Sequence, residues 1–533
     1  MKAKLDESSP GECGILALRG LGGIGKTQLM LHYYYNYYLS YKYVFWLEVD
    51  TWSAAVDSFR KLAINLGLDK DIIEEMGSVE EFIDWVRIWL QTNEDWILLL
   101  DNADCEVAKK VFKLLPCIGG DIILTTREPI PSNLAKVIIV DKMKEEEALV
   151  LLLGDSSTDS IEDVRAKIHL AQQIITELDC MPLALHLARA YVNNTQNSLQ
   201  HYLEKLKTQR KKLLMDNDEK ASGEYNCSVA TVWTLSLERI QSQSSAAAQI
   251  LEACAFLQPD YIPLRFFENQ YSALRLETFL STNKQDEEQP WKAVRKAITV
   301  LVDFSFVVRT CKEVESAKDD PRRDFLTIPR LVQKVIYDSI DDKKKLRWAH
   351  NIATALKCET ESVISHTQYD LRMEAYLSHI RHFATLLNDL SQNPPKSKDL
   401  HKLLIQVVDY RRRSGAYSGI EELALLSVRV STEVNGPENT ATAASLHYLA
   451  AVYEGQGKYN DAEQQQKKAL DIREKMLGLD NPDTAISMNH LARIYENRGK
   501  HDLAEKLHTR ALAVFEKVRG PDHPDTAMAL FSL

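Results

Sequence analysis

The chain has 533 residues, a formal net charge of −11, and a composition that is 45% hydrophobic and 26% charged. That length suits about three or four soluble globular domains, and the acidic balance excludes a general nucleic-acid or anionic-membrane binder. Met1-Lys2-Ala3-Lys4-Leu5-Asp6-Glu7 lacks the apolar core of a signal peptide. No apolar stretch approaches the ~20 residues that span a bilayer, so a cytoplasmic protein is expected. The eight cysteines (13, 105, 117, 180, 227, 254, 311 and 358) show no Cys-x-x-Cys spacing and no adjoining histidine cluster. They suggest neither zinc nor a redox pair, and most are expected to be buried, reduced thiols. The basic triplets at 210–212, 343–345 and 411–413 read as solvated helix faces.

Near the N-terminus, Ile15-Leu16-Ala17-Leu18 reads as a strand and Gln28-Leu29-Met30-Leu31-His32-Tyr33 as a helix. Between them Gly20-Leu21-Gly22-Gly23-Ile24-Gly25-Lys26-Thr27 fits G-x-x-x-x-G-K-[ST], the phosphate-cradling P-loop. Glycines let backbone N–H groups close around phosphate oxygens, and the helix N-terminus adds partial positive charge. Lys26 is expected on the β-phosphate of ADP or ATP and on the γ-phosphate of ATP, and the Thr27 hydroxyl on Mg²⁺; Gln28 continues the nucleotide-contacting segment. The aromatic run Tyr33-Tyr34-Tyr35-Asn36-Tyr37-Tyr38 is expected to pack this helix on a sheet, with hydroxyls at the rim.

Further apolar runs follow at Tyr43–Val49, Trp96–Leu100, Asp121–Thr126 and Val137–Val140, separated by helical stretches. The pattern predicts an α/β domain with a parallel sheet, binding its ligand at the carboxyl ends of the strands. Ile97-Leu98-Leu99-Leu100-Asp101-Asn102 ends a strand in a carboxylate, the Walker B arrangement, with Asp101 holding Mg²⁺ directly or through water. The amide of Asn102 cannot take a proton from water, so any ATP hydrolysis should be slow; Asp104 is acidic and close in sequence. Leu124-Thr125-Thr126-Arg127 delivers a guanidinium toward the γ-phosphate. Residues 145–215 are helical by pattern and contain Met181-Pro182-Leu183-Ala184, a proline opening an apolar helix. Beyond 228 come more helices, two strand candidates at Phe304–Arg309 and Phe325–Ile328, and a charged wing tip from Lys312 to Arg323, which together suggest a winged helix.

In this order the motifs Gly-Leu-Gly-Gly-Ile-Gly-Lys-Thr, Leu-Leu-Leu-Asp-Asn, Leu-Thr-Thr-Arg and Met-Pro-Leu-Ala resemble the NB-ARC class of STAND NTPases, the switch ATPases of innate-immune-type, NLR-like receptors. The resemblance implies nucleotide-binding, helical and winged-helix domains closing over ADP, with Pro182 as an adenine contact. Cys180 stands where family members carry the glycine of Gly-Leu-Pro-Leu. Family members also place a histidine of Met-His-Asp on the ADP β-phosphate. The matching stretch Ile328-Pro329-Arg330-Leu331 has proline there, which offers neither imidazole nor N–H, so a weakened clamp is implied. The Gly-Arg-Glu segment that walls adenine in the family has no counterpart in Met1–Gly14.

From about residue 403 the sequence repeats every 42 residues: Leu449 and Leu491, Tyr453 and Tyr495, Gly457 and Gly499, Ala462 and Ala504, Ala469 and Ala511, Pro482 and Pro524. Small residues where helices cross and aromatics in the gaps are tetratricopeptide (TPR) chemistry, and the period resembles the kinesin-light-chain type. A degenerate repeat is expected at 403–436, marked by Gly415 and Tyr417, after a loop at Asn393–Ser397. The last repeat stops inside a helix without a polar cap, so either a longer natural chain or continuation of the array into a partner is expected. The expected domains are 1–145 (P-loop NTPase), 146–225 (helical), 226–340 (winged helix), 341–402 (helical linker) and 403–533 (TPR α-solenoid). The expected function is an ADP/ATP-binding signalling switch whose nucleotide state controls opening and homo-oligomerisation, with a protein partner on the repeats. The alternative is a nucleotide-independent TPR scaffold.

Overall fold

The computed structural model describes residues 1–6, 13–69, 72–73, 79–103, 105–115, 118–131, 134–154, 161–195, 198–215, 227–276, 290–311, 323–361, 366–390, 396–414, 417, 419–521 and 523–531. Asp104, Gly415, the wing tip at 312–322 and the loop at 393–395 lie outside them. The described residues divide into two compact units. One holds Met1–Leu251, Lys292–Arg309 and Thr327–Asp338, the other Glu252–Trp291, Thr310–Leu326 and Ser339–Leu533.

In the first unit the predicted apolar runs form β1 (Gly14–Arg19), β2 (Tyr43–Glu48), β3 (Trp96–Asp101), β4 (Gly120–Thr126) and β5 (Lys136–Ile139). They make one sheet of order β2-β3-β4-β1-β5 with every pair parallel. Helices α1 (Lys2–Asp6), α2 (Lys26–Tyr37), α3 (Trp52–Asn65), α4 (Val79–Thr92) and α5 (Cys105–Leu114) cover it. Alternation along the strands sends Leu98, Leu100, Ile122 and Leu124 to one face, against Phe59, Val86 and Val111. Leu16, Leu18, Ile97, Leu99 and Ile123 go to the other, against Met30, Tyr33 and Leu5. Each such side chain contributes roughly 1.5–3 kcal/mol on burial, so both faces of β1, β3 and β4 are anchored and their carboxyl ends are fixed in register.

Trp96 is fully buried, its indole N–H donates to the Leu90 carbonyl at 2.8 Å, and a Cβ on Gly120 would lie 2.3 Å from its ring and its carbonyl oxygen. Of the tyrosine run, Tyr33 alone is buried, while Tyr35, Tyr37 and Tyr38 are exposed at 69%, 37% and 44%. A helix offers one face per turn, so the expected packing holds only where the 3.6-residue period points inward.

Helices α6 (Glu145–Leu153), α7 (Ile161–Glu177), α8 (Pro182–Thr195), α9 (Leu199–Met215), α10 (Cys227–Gln243), α11 (Ser245–Cys254), α12 (Leu264–Gln270) and α13 (Pro290–Asp303) follow. Short strands β6 (Ile262–Pro263), β7 (Val308–Cys311) and β8 (Asp324–Thr327) form a sheet of order β6-β8-β7, in which β6 and β8 are antiparallel. The first strand candidate begins later than expected. Ser305 takes φ 60°, and the Phe306 and Ser305 N–H groups donate back to the Leu301 and Val302 carbonyls at 3.0 and 2.8 Å. That is a Schellman cap on α13, so Phe304–Val307 is a buried helix stop rather than strand. The cysteine expectation also needs correction: among the described free thiols only Cys254 is buried, Cys13, Cys180 and Cys358 are half-buried, and Cys311 is exposed.

After α14 (Arg330–Ser339), helices α15 (Asp342–Glu361), α16 (His366–Leu390) and α17 (Lys398–Arg413) lead into α18 (Glu421–Asn435), α19 (Thr440–Gly455), α20 (Tyr459–Leu477), α21 (Pro482–Asn497), α22 (His501–Arg519) and α23 (Pro524–Phe531). The joints repeat in register. Gly436, Gly478 and Gly520 each end a helix at φ 84–91°, and their carbonyls accept from Thr442, Thr484 and Thr526 at 2.8–2.9 Å. Ion pairs recur at the same offset: Lys458–Glu421 and Lys500–Glu463, then Lys475–Glu438 and Lys517–Asp480. Inside the array a polar pair exchanges its members, His447 with Gln466 (3.1 Å) in one repeat and His508 with Asn489 (3.0 Å) in the next. Among the described residues no helix is long and apolar enough to cross a membrane.

Candidate nucleotide site

The glycine-rich loop joins β1 to α2 at the carboxyl edge of the sheet. Gly25 is the N-cap of α2 at φ 98° and Gly23 sits at φ 75°, values that a side chain resists. Gly20 is small for a different reason, because a Cβ there would come within 2.4 Å of the Val140 carbonyl oxygen beyond β5. Ile24 is buried beneath the loop, and Gln28 is exposed on the first turn of α2. Lys26 turns its ammonium across the loop, donating to the carbonyls of Gly20 (2.9 Å) and Leu21 (2.8 Å). Burial, then the Arg127 guanidinium, lower its pKa to about 8, against the pull of Asp101.

The Thr27 hydroxyl donates to Asp101 Oδ1 at 2.9 Å, joining the loop to the end of β3. Thr125 on β4 donates to the same oxygen at 2.7 Å and accepts from the Asn102 N–H at 2.7 Å. Thr125 is buried, and nothing in its local pattern marks this role; its signal is its position on the strand between β1 and β3. Asn102 takes φ 59°, which turns the chain away just past the carboxylate. The Arg127 guanidinium stands 3.5–3.8 Å from the Cβ point of Gly22. Loop, lysine, hydroxyl, carboxylate and arginine therefore converge. A hydroxyl beside a carboxylate is a hard-oxygen pair suited to Mg²⁺. Among the described residues no three His, Cys, Asp or Glu side chains cluster as a metal site.

Pro182 is the first residue of α8 and half-buried; Leu183, next to it, lies 3.1 Å from the Cβ point of Gly23. The preceding turn caps α7: Cys180 N–H donates to Ile175 O and Asp179 N–H to Thr176 O, both at 3.2 Å. Asp179 and Cys180 both take positive φ, 56° and 52°. Cys180 thus holds a conformation suited to glycine. Relief of about 1–2 kcal/mol in the folded chain, less the ~0.5–1 kcal/mol of glycine's extra freedom when unfolded, predicts that Cys180→Gly stabilises by about 0.5–1 kcal/mol. The denaturation midpoint checks this.

Fold and site together define a P-loop NTPase module. More narrowly, residues 1–157 match the family model of the NB-ARC domain, and residues 442–483 and 483–533 match models of the tetratricopeptide repeat. The N-terminal module is an NB-ARC domain, and TPR repeats follow it toward the C-terminus. A nucleotide-binding leucine-rich repeat (NLR)-like protein of Hyaloscypha variabilis is 25% identical over 472 residues, covering 82% of this chain. The chain spans 43% of that relative's length. Among solved structures, a STAND protein with a tetratricopeptide repeat sensor from Pyrococcus horikoshii aligns over 98% of this chain and 78% of its own, at 12% identity and a TM-score of 0.38. A putative kinesin light chain with TPR-like repeats from Podospora anserina aligns over 36% of this chain and 85% of its own, at 18% identity and a TM-score of 0.27.

Proposed function

We propose that this chain is a nucleotide-dependent signalling switch. ADP or ATP sits in the loop Gly20–Thr27, its phosphates taken by the backbone N–H groups of Gly22, Gly23, Ile24, Gly25 and Gln28 and by the Lys26 ammonium. Thr27 and Asp101 hold Mg²⁺, which offsets phosphate charge when bound. Arg127 reads the γ-phosphate, and Pro182 lies at the adenine side. The single observation that carries this reading is the convergence of Lys26, Thr27, Asp101 and Arg127 on one loop. Asn102 leaves no proton acceptor directly after the carboxylate, so turnover is slow and the nucleotide acts by differential affinity for two states. The repeats dock a protein partner, and opening of the ATP form leads to assembly with further copies. The domain limits 1–145, 146–225, 226–340, 341–402 and 403–533 belong to the same proposal.

A nucleotide-independent scaffold is the second reading, favoured by Pro329, whose ring nitrogen has no hydrogen to donate. Thermal unfolding with Mg·ADP separates the two. A ligand at 100 times its Kd stabilises by about 2.7 kcal/mol, so a shift of several degrees is expected for the switch and none for the scaffold.

A further inference from the structure

We propose that Glu48 is the general base of a slow ATP hydrolysis, supplied from the strand beside the one that carries Asp101; this rests on the reading of the Gly20–Thr27 loop as a nucleotide site. The parallel register of β2 and β3 sets Glu48 directly against Asp101. The Val49 N–H donates to the Asp101 carbonyl at 3.1 Å, which carries the pairing past that row. One row earlier, Leu47 and Leu100 both enter the core on the far face of the sheet. Side chains alternate along a strand, so Glu48 and Asp101 share the opposite face. That is the face of the phosphate loop, because the Thr27 hydroxyl donates to Asp101 Oδ1 at 2.9 Å. Paired strands lie about 4.8 Å apart, so the two acidic residues stand one strand spacing from each other at the carboxyl edge of the sheet.

The neighbouring groups have other work. Asp101 Oδ1 takes hydrogen bonds from both Thr27 and Thr125. Asn102 presents an amide where a proton acceptor would follow Asp101, and at φ 59° it turns the chain away. Asp50, two residues beyond Glu48, lies 2.7 Å from Arg330 Nη1. Glu48 itself is half-buried, and its backbone is held without help from its carboxylate. Its N–H donates to Ser58 Oγ at 3.2 Å, and its carbonyl accepts from the Ser58 hydroxyl at 3.1 Å. In the reaction the oxygen of water bonds to the γ-phosphorus of ATP. The bond from that phosphorus to the β–γ bridging oxygen breaks, and ADP leaves with the electron pair. Glu48 takes the proton that the water gives up and passes it to solvent. The adjacent strand thus supplies the acceptor that position 102 lacks.

The test uses the full chain as wild type, Glu48→Gln and Glu48→Asp. Glutamine keeps the shape of the side chain and both backbone bonds to Ser58, so the fold is retained. Mg·ADP and Mg·ATP affinities, measured by calorimetry, should stay within about threefold of wild type in both variants. Phosphate release from Mg·ATP should fall by roughly 100-fold or more in Glu48→Gln, and by about tenfold in Glu48→Asp, whose carboxylate is one methylene short. Bound nucleotide gives a second readout. After incubation with Mg·ATP and gel filtration, acid extraction should yield ADP from the wild type and ATP from Glu48→Gln. Wild-type turnover in Glu48→Gln overturns the proposal, as does a wild type that binds Mg·ATP and leaves it intact. A loss of Mg·ATP affinity in Glu48→Gln places the carboxylate on the metal and overturns it too. If the wild type binds neither nucleotide, the reading of the loop fails and the proposal with it, a result distinct from the other three.

Discussion

Lys26→Ala is expected to weaken ADP binding by at least 100-fold, about 2.7 kcal/mol, with the protein still folded. The ammonium is the principal cation of the loop, and it already bridges the carbonyls of Gly20 and Leu21. Charge-assisted bonds to phosphate are roughly twice as strong as neutral ones, and their loss in a half-shielded site exceeds that at an exposed one. Isothermal calorimetry with Mg·ADP checks it; equal affinities in the two proteins would remove the phosphate role from Lys26. A pH signature accompanies it. Phosphate favours the ammonium, so the bound-state pKa lies above the free value of about 8. Affinity should then be flat below pH 8 and fall toward tenfold per unit above it, until the bound-state pKa is reached. The Lys26→Ala protein should lack that decline.

Gly120→Ala is expected to destabilise the nucleotide-binding module by about 3 kcal/mol, lowering its unfolding temperature by roughly 5–10 °C. The added methyl would meet the Trp96 ring at 2.3 Å and the Trp96 carbonyl oxygen at 2.3 Å. The ring is locked by its bond to Leu90 and the carbonyl belongs to a central strand, so neither can move away cheaply. Gly436→Ala offers the contrast. Nothing lies within 4 Å of its Cβ point, but its backbone, at φ 91° and ψ 160°, is one that glycine alone adopts readily, so a purely conformational cost of about 1–3 kcal/mol is expected. Scanning calorimetry checks both; a Gly120→Ala protein as stable as wild type would mean that β3 and β4 can part at no cost.

The phosphate loop, the Asp101 strand end and the repeat period were legible because each is written in contiguous residues. Strand, glycine turn and helix lie within about two dozen positions, and strand alternation sorts Leu98 from Leu99 without knowledge of the fold. The ion pair between Arg330 and Asp50 was not legible. Arg330 and Asp50 are 280 residues apart, and nothing local distinguishes either from a solvated surface charge. The run Phe304–Val307 misled for another reason: four apolar residues suit a buried helix cap as well as a strand, and the choice fell to Ser305 adopting a left-handed backbone. The thiols were misjudged because composition gives the company a cysteine keeps along the chain, not the depth at which the fold places it.

The threonine-to-glycine joints at Thr442, Thr484 and Thr526 bear on how such a chain changes over generations. Each joint pairs a threonine hydroxyl with the carbonyl of the glycine six residues before it, so a segment of 42 residues can be duplicated or deleted by unequal recombination, and the ends that result meet through a junction the protein already makes. The array can therefore gain or lose reach in whole steps while each step keeps its own stability. Surface residues between the joints are left free to diverge from copy to copy.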